Sequence, residues 1–285
     1  MTKKANGLKL WVEGARLRTL PLAIAPIAIG AGAAAVVDKF NLGLTLLALS
    51  VALFLQIGVN FANDYSDGIR GTDEHRVGPL RLTGSKSVRP QAVKFAAFLF
   101  FGLSAVAGAT IVLLTQHWWF IPVGIAAIVA AWFYTGGKRP YGYAGLGELA
   151  VFIFFGPVAV LGTTYVLIQS IWLEPILLGV AHGLFACAVL LVNNMRDRLT
   201  DIAANKRTLA TRMPMWLNRV LFGFYVLVPF VILTWFALTI FNAWWAYFAL
   251  CFALPATLIA ATAKSASEHV LALKLTVWAS LSFSM

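Results

Sequence analysis

The 285-residue chain is 60% hydrophobic and only 12% charged, with a mean hydropathy of +0.83 and a formal net charge of +11. An ordinary soluble domain carries roughly 25% charged residues, so the composition excludes a soluble globular protein and marks an integral membrane protein. The two cysteines, Cys187 and Cys251, lie inside apolar runs without metal-ligand spacing and are expected to be small buried residues.

Residues 1–18 are polar and basic and read as a segment outside the membrane. The Ala-rich stretch after them is near full spanning length, which points to a retained helix rather than a cleaved leader. Apolar runs then recur at 19–37, 42–62, 93–115, 118–135, 148–170, 175–193, 216–240, 243–263 and 270–285. A hydrocarbon core roughly 30 Å thick needs about 20 apolar residues per helical crossing, so about nine spans are expected. The runs are continuous rather than alternating, which favours helices over a β-barrel. The expected fold is an all-α polytopic bundle forming one domain over 1–285.

Lys and Arg fix the expected orientation. Alternating ends of the runs place Lys3, Lys4, Lys9, Arg16, Arg18, Arg70 to Lys94, Lys138, Arg139, Arg196 to Arg219, Lys264 and Lys274 on one side and only Lys39 on the other. That side is expected to be cytoplasmic, together with the N-terminus. The opposite side carries Trp118, Trp119, Trp172, Trp244 and Trp245, as an interfacial aromatic belt does. The positive charge follows the topology, so no nucleic-acid partner is expected; the lipid bilayer is the expected surroundings, and the sequence sets no oligomeric state.

The second run closes on Asn60-x-x-Asn63-Asp64-x-x-Asp67. If the helix continues through this cluster, Gln56, Asn60 and Asp64 share a four-residue spacing and Asp67 lies one turn further on the same face. Arg70, Arg76, Arg81, Lys86 and Arg89 follow it. Between the fourth and fifth runs, Gly136, Gly137, Gly142, Gly145 and Gly147 surround Lys138 and Arg139, without a Walker or dinucleotide fingerprint. Glu148 then opens the fifth run as a helix N-terminal charge. The sixth run contains His182, expected to be a packed helix contact, and closes on Asn193-Asn194-x-x-Asp197-x-x-x-Asp201, followed by Lys206, Arg207 and Arg212. His75, His117 and His269 are expected at loops or interfaces, and no zinc site is expected. The two clusters stand about four runs apart, each before a basic loop, a pattern of two related four-helix halves with a ninth helix appended.

A single Asp at a helix end is usually solvated, but ionisable clusters beside hydrocarbon are costly, and two with Asn partners point to use. Columns of oxygen ligands suit a hard cation such as Mg²⁺, which takes one or two carboxylates and bridges to substrate phosphates. Surrounding Arg and Lys complete a phosphate site that stabilises a departing diphosphate. A diphosphate site opening on a lipid-embedded bundle points to a polyprenyl diphosphate, whose allylic cation an electron-rich aromatic acceptor attacks. Phe61, Tyr65, Tyr134 and Tyr141 are candidate shields for that cation.

These motifs also resemble the two aspartate-rich motifs of the UbiA-type intramembrane prenyltransferases: Asn63-Asp64-x-x-Asp67 followed by Gly71-x-Asp73, and Asp197-x-x-x-Asp201 followed by Lys206-Arg207-Thr208. Within that superfamily, Arg18-Thr19-Leu20-Pro21, Arg76-Val77-Gly78-Pro79-Leu80-Arg81, the run Tyr134 to Tyr143 and Gly145-Leu146-Gly147-Glu148 look like the menaquinone-pathway dihydroxynaphthoate branch. Asn205 departs from it, standing where that branch usually has Gly. The resemblance implies transfer of a polyprenyl group to 1,4-dihydroxy-2-naphthoate with loss of CO₂ and diphosphate, at a bacterial plasma membrane. It implies Asp64, Asp67, Asp197 and Asp201 as Mg²⁺ ligands, assisted by Asn60, Asn63, Asn193 and Asn194. Lys138, Arg139, Lys206 and Arg207 are implied at the phosphates, with Arg76, Arg81, Tyr134 and Tyr141 at the substrates, and Asp73 on the acceptor side as a base. Two rival readings stand beside this one: a related enzyme using 4-hydroxybenzoate or a chlorin, and a membrane transporter.

Overall fold

The structure, a computed structural model, describes residues 7–72 and 81–285. Asp73 and Arg76 therefore lie outside the described residues. The described chain is predominantly helical, with no strand among the described residues.

The short helix α1 (Gly7–Ala15) leads into α2 (Pro21–Val36), α3 (Leu42–Ile69), α4 (Pro90–Thr115) and α5 (Phe120–Phe133). Then come α6 (Gly147–Ile153), α7 (Ala159–Ile168), α8 (Leu173–Ala203), α9 (Leu209–Arg212), α10 (Met215–Thr239), α11 (Leu250–Thr262) and α12 (Ala266–Phe283). Local chemistry sets several starts. Asn41 caps α3 by accepting from the Leu44 amide at 2.9 Å. Pro90 opens α4, where its missing N–H is not needed. Ser265 and Glu268 form a reciprocal capping box on α12. Between α6 and α7 the helix widens into a π turn, Phe154–Val158, containing Pro157.

All nine apolar runs are helical, but six helices are long and apolar enough to cross a membrane, or seven if the pair Gly7–Thr19 and Pro21–Val36, bent by 48°, counts as one broken span. The expected nine crossings are thus not what length and composition establish. The run at 118–135 yields only the 14-residue α5, and Ala266–Phe283 is interrupted by polar side chains such as Glu268, His269 and Lys274. Cys187 is buried as expected, whereas Cys251 is exposed on α11. It lies off the buried face of that helix, formed by Ala253, Ala256 and Ala260, a distinction a hydropathy run does not encode.

The two largest parts of the interior lie in different halves, and a smaller third collects Ile27, Ala48, Ile111 and Val166. Of the two largest, one collects Phe61, Leu82, Val93, Ala97 and Phe101 from α3, the following loop and α4. The larger collects Leu22, Phe185, Leu191, Phe222, Phe230, Leu273 and Phe283 from α2, α8, α10 and α12. In each half the helix bearing an acidic cluster packs on the next long helix, α3 on α4 and α8 on α10, which matches the repeat expected from the sequence. The α2 helix joins the halves by packing on α7, α8 and α12. His182 sits at that junction, fully buried. Its Nε2 lies 3.1 Å from the Leu22 carbonyl and its Nδ1 3.1 Å from the Ser280 hydroxyl. A carbonyl only accepts, so Nε2 carries the proton and Nδ1 accepts from Ser280. His182 is a helix contact, as expected.

Candidate functional site

The α3 helix runs unbroken through the first cluster, so Asp64 and Asp67 sit on its last two turns, only 1% and 2% exposed. Asp64 accepts from the Leu82 amide through Oδ2 and from the Thr83 amide through Oδ1, both at 2.8 Å. Asp67 accepts from the Tyr143 hydroxyl at 2.8 Å, and Arg81 approaches its other oxygen at 3.7 Å. Asn63 accepts from the Thr135 hydroxyl at 2.8 Å, and Asn60 donates to the Ala15 carbonyl at 3.0 Å. These amides fix α3 to α1 and to the end of α5.

In the same way α8 continues through the second cluster. Asp197 and Asp201 are 6% and 4% exposed. Arg196 grips Asp197 with both ends of its guanidinium, each at 2.7 Å, and Lys206 lies 3.5 Å from Asp201. Asn194 donates to the buried Glu148 carboxylate at 3.3 Å, while Asn193 is partly buried beside it in the chain. Glu148 occupies the first turn of α6 as expected, but buried, and its backbone carbonyl accepts from the Cys187 thiol at 3.2 Å.

The segment between α5 and α6 joins the clusters. Tyr143 reaches Asp67 with its hydroxyl, and its ring has Lys206 5.2 Å and Arg70 5.4 Å from the centroid. Its carbonyl accepts from the Arg207 amide at 3.1 Å. Burial and then the Asp67 carboxylate hold the Tyr143 phenol well above its ordinary range, so it donates as a neutral hydroxyl. Tyr134 closes α5 and packs edge-on against Tyr141 at 5.6 Å. Arg70 donates to the carbonyls of Thr135 and Gly137. Lys138 and Arg139 are exposed at the tip of this segment.

Some expected residues belong to packing instead. Phe61 packs edge-on against Trp11 at 5.6 Å, and Tyr65 stacks on Trp132 at 6.2 Å with Lys94 5.7 Å from its ring. Both are held in the first interior cluster rather than beside Tyr143. Two residues of the site escape sequence pattern: Tyr143 stands there only within a motif, and Arg196 only among the topology charges. Asn205, the departure from the family pattern, has φ 55°. That left-handed backbone explains why Gly is usual there and why Asn, which tolerates it best after Gly, substitutes.

The donor set suits a small hard cation shared with a phosphate. Among the described residues no three Asp, Glu, His or Cys side chains converge as they would around a fully protein-ligated ion. Four buried carboxylates in two pairs fit the other arrangement, in which Mg²⁺ takes one or two carboxylates and completes its shell with phosphate and water. The Thr83 and Thr208 hydroxyls, in the loops that follow the two clusters, are buried without a hydrogen-bond partner among the described residues. Unmet buried donors of this kind accord with an anionic ligand.

Residues 23–281 match the sequence profile of the UbiA prenyltransferase family. The 1,4-dihydroxy-2-naphthoate octaprenyltransferase of Mycobacterium tuberculosis is 55% identical over 203 residues, covering 71% of this chain and 69% of that protein. The protein of the same name in Escherichia coli is 39% identical over 209 residues, covering 71% and 68%. A UbiA homologue from Archaeoglobus fulgidus, solved with GPP and Mg²⁺, superposes with a TM-score of 0.64 at 12% identity, over 96% of this chain and 99% of that one. That likeness establishes a shared fold.

Proposed function

Because this chain belongs to the UbiA prenyltransferase family, we propose that it transfers a polyprenyl group from polyprenyl diphosphate to 1,4-dihydroxy-2-naphthoate, releasing diphosphate and CO₂. The observation that carries the reading is the connected line from Asp67 through Tyr143 to Lys206 and Asp201, which draws both acidic clusters to one end of the bundle. A transporter site tends to lie near the bilayer midplane, whereas these residues occupy the last turns of α3 and α8. The bias of Lys and Arg supports a cytoplasmic placement of the site and the N-terminus, in a bacterial plasma membrane.

In this reading Asp67 and Asp201, with Asp64 and Asp197 one turn earlier, supply oxygen to Mg²⁺. These carboxylates would hold Mg²⁺ with the diphosphate, and the ion would supply positive charge to offset the negative charge developing on the leaving group. Arg81 and Lys206 stand at those carboxylates already, and are the cations placed to take phosphate oxygens, with Arg207, Lys138 and Arg139 on the adjoining loops. The allylic C–O bond breaks and its electron pair leaves on the diphosphate. The acceptor ring carbon that bears the carboxylate bonds to the prenyl carbon, and CO₂ departs, leaving its bonding pair to restore the aromatic ring. The exchange releases no net proton, so it balances without a base; Asp73 and Arg76 remain expectations on the acceptor side. Tyr134, partly buried at the end of α5 and edge-on to Tyr141, is the aromatic face assigned to shield the cation.

The test is product formation by purified full-length protein given a polyprenyl diphosphate, Mg²⁺ and the naphthoate, with 4-hydroxybenzoate offered in competition. The prenylated, decarboxylated naphthoquinol is expected. Preference for hydroxybenzoate would overturn the acceptor, and absence of any prenylated product would overturn the enzyme reading.

A further inference from the structure

We infer that Tyr143 is the positioning residue that couples the two acidic clusters, holding Asp67 on one side and the Lys206–Arg207 loop on the other so that one diphosphate meets both. This deepens the reading above and rests on it. Tyr143 touches the first cluster through its hydroxyl, at 2.8 Å from Asp67 Oδ1, with the Thr72 hydroxyl 3.2 Å away. It touches the second half through its ring, 5.2 Å from the Lys206 ammonium, and through its carbonyl, which accepts from the Arg207 amide at 3.1 Å. Lys206 in turn pairs with Asp201.

The two helices bearing the clusters do not carry the coupling themselves. Their principal packing is on other partners, α3 on α4 and α8 on α10 and α12. Helix α2 joins the halves elsewhere, and at the cluster-bearing ends of α3 and α8 the segment between α5 and α6 bridges them, with Tyr143 where that segment meets both. The neighbouring residues hold the segment there. Arg212 donates to the Ala144 carbonyl at 2.8 Å, and Gly145 adopts φ 81°, which lets the chain turn directly after Tyr143. Fixing the Asp67 oxygen with a neutral donor aims the carboxylate without adding charge, whereas a second cation there would compete with the metal.

Tyr143→Phe removes the bond to Asp67 and keeps the ring; Tyr143→Ala removes both. Two readouts separate positioning from mere folding. The first is Mn²⁺ binding to full-length protein in detergent with inorganic pyrophosphate, followed by electron paramagnetic resonance. The second is the Mg²⁺ concentration giving half-maximal turnover. Losing a hydrogen bond to a charged group weakens an interaction by about tenfold, so Tyr143→Phe is expected to raise both metal requirements by about that factor. Tyr143→Ala is expected also to weaken pyrophosphate at saturating metal, while the melting temperature without ligand changes little in the Phe variant. Unchanged metal requirements in Tyr143→Phe, beside a wild type that turns over, would overturn the coupling alone. A wild type without turnover would overturn the proposed reaction, and the Mn²⁺ titration would still decide the coupling. A wild type that binds no Mn²⁺ with pyrophosphate would overturn both.

Discussion

Asp64 and Thr83 form one seat: the Thr83 amide donates to Asp64 Oδ1 at 2.8 Å, and the Thr83 side chain occupies the space left by Gly68, where an added Cβ would lie 2.5 Å from Thr83 Cβ. One turn of helix separates Asp64 from Gly68, so the last turns of α3 hold the loop as well as the candidate metal ligands. A carboxylate has about four lone-pair positions, and two amides leave room for a cation.

Asp64→Ala is therefore expected to do more than abolish turnover. Two charge-assisted hydrogen bonds are lost, which costs about 3 kcal/mol, and the Leu82 and Thr83 amides should exchange faster with solvent. Asp197→Ala should leave those amides protected. Equal protection of both amides in Asp64→Ala and wild type would show that Asp64 does not hold the loop.

Asn205 tests the backbone directly. Its φ of 55° costs an L-residue roughly 1 kcal/mol, so Asn205→Gly is expected to retain turnover and to match or raise stability. Asn205→Val, branched at Cβ, should lose about 1–2 kcal/mol. Thermal unfolding of both variants checks the order, and a Val variant as stable as the Gly variant would refute it.

Gly156 faces α8 with no room to spare. An added Cβ would lie 2.5 Å from the Gly179 carbonyl oxygen and 2.8 Å from Gly183 Cα, so Gly156→Ala forces backbone apart and should cost about 1–3 kcal/mol. Gly32→Ala, where an added Cβ meets nothing within 4 Å, serves as the comparison and should be nearly neutral.

Tyr141 supplies a pH dependence. Burial pushes its phenol up to about 12, from an ordinary value of 10.0, while the hydroxyl donates to the Ala130 carbonyl at 2.8 Å. A raised acid favours its neutral form in the fold, so its contribution is whole below about pH 10 and is lost as pH rises through 12. Tyr141→Phe should lower stability by about 1 kcal/mol at neutral pH and flatten the decline between pH 10 and 12. Parallel alkaline curves for the two proteins would rule out this titration.

Local pattern made the helices legible. The shared face of Gln56, Asn60 and Asp64 requires the helix to continue past the second apolar run, and α3 does so to Ile69. The unusual Asn before Lys206 marked a position that the backbone singles out. What stayed hidden were partners set by tertiary contact: Asp64 meets amides 18 and 19 residues away, and Asp67 meets a tyrosine 76 residues away. Arg196 was hidden for another reason. Neighbours in a helix do not share a face, so periodicity gave no hint that its long side chain folds back on Asp197.

The widened turn at Phe154–Val158, with Pro157 in it, has a consequence for the bilayer. A proline removes one backbone donor, and the wider winding leaves carbonyls that hydrocarbon would not tolerate bare. Gly156 lies directly against Gly179 and Gly183 of α8, so the neighbouring helix acts as a gasket over the irregular backbone. A bulkier side chain there would break that seal and admit lipid to exposed peptide groups one helix away from Glu148.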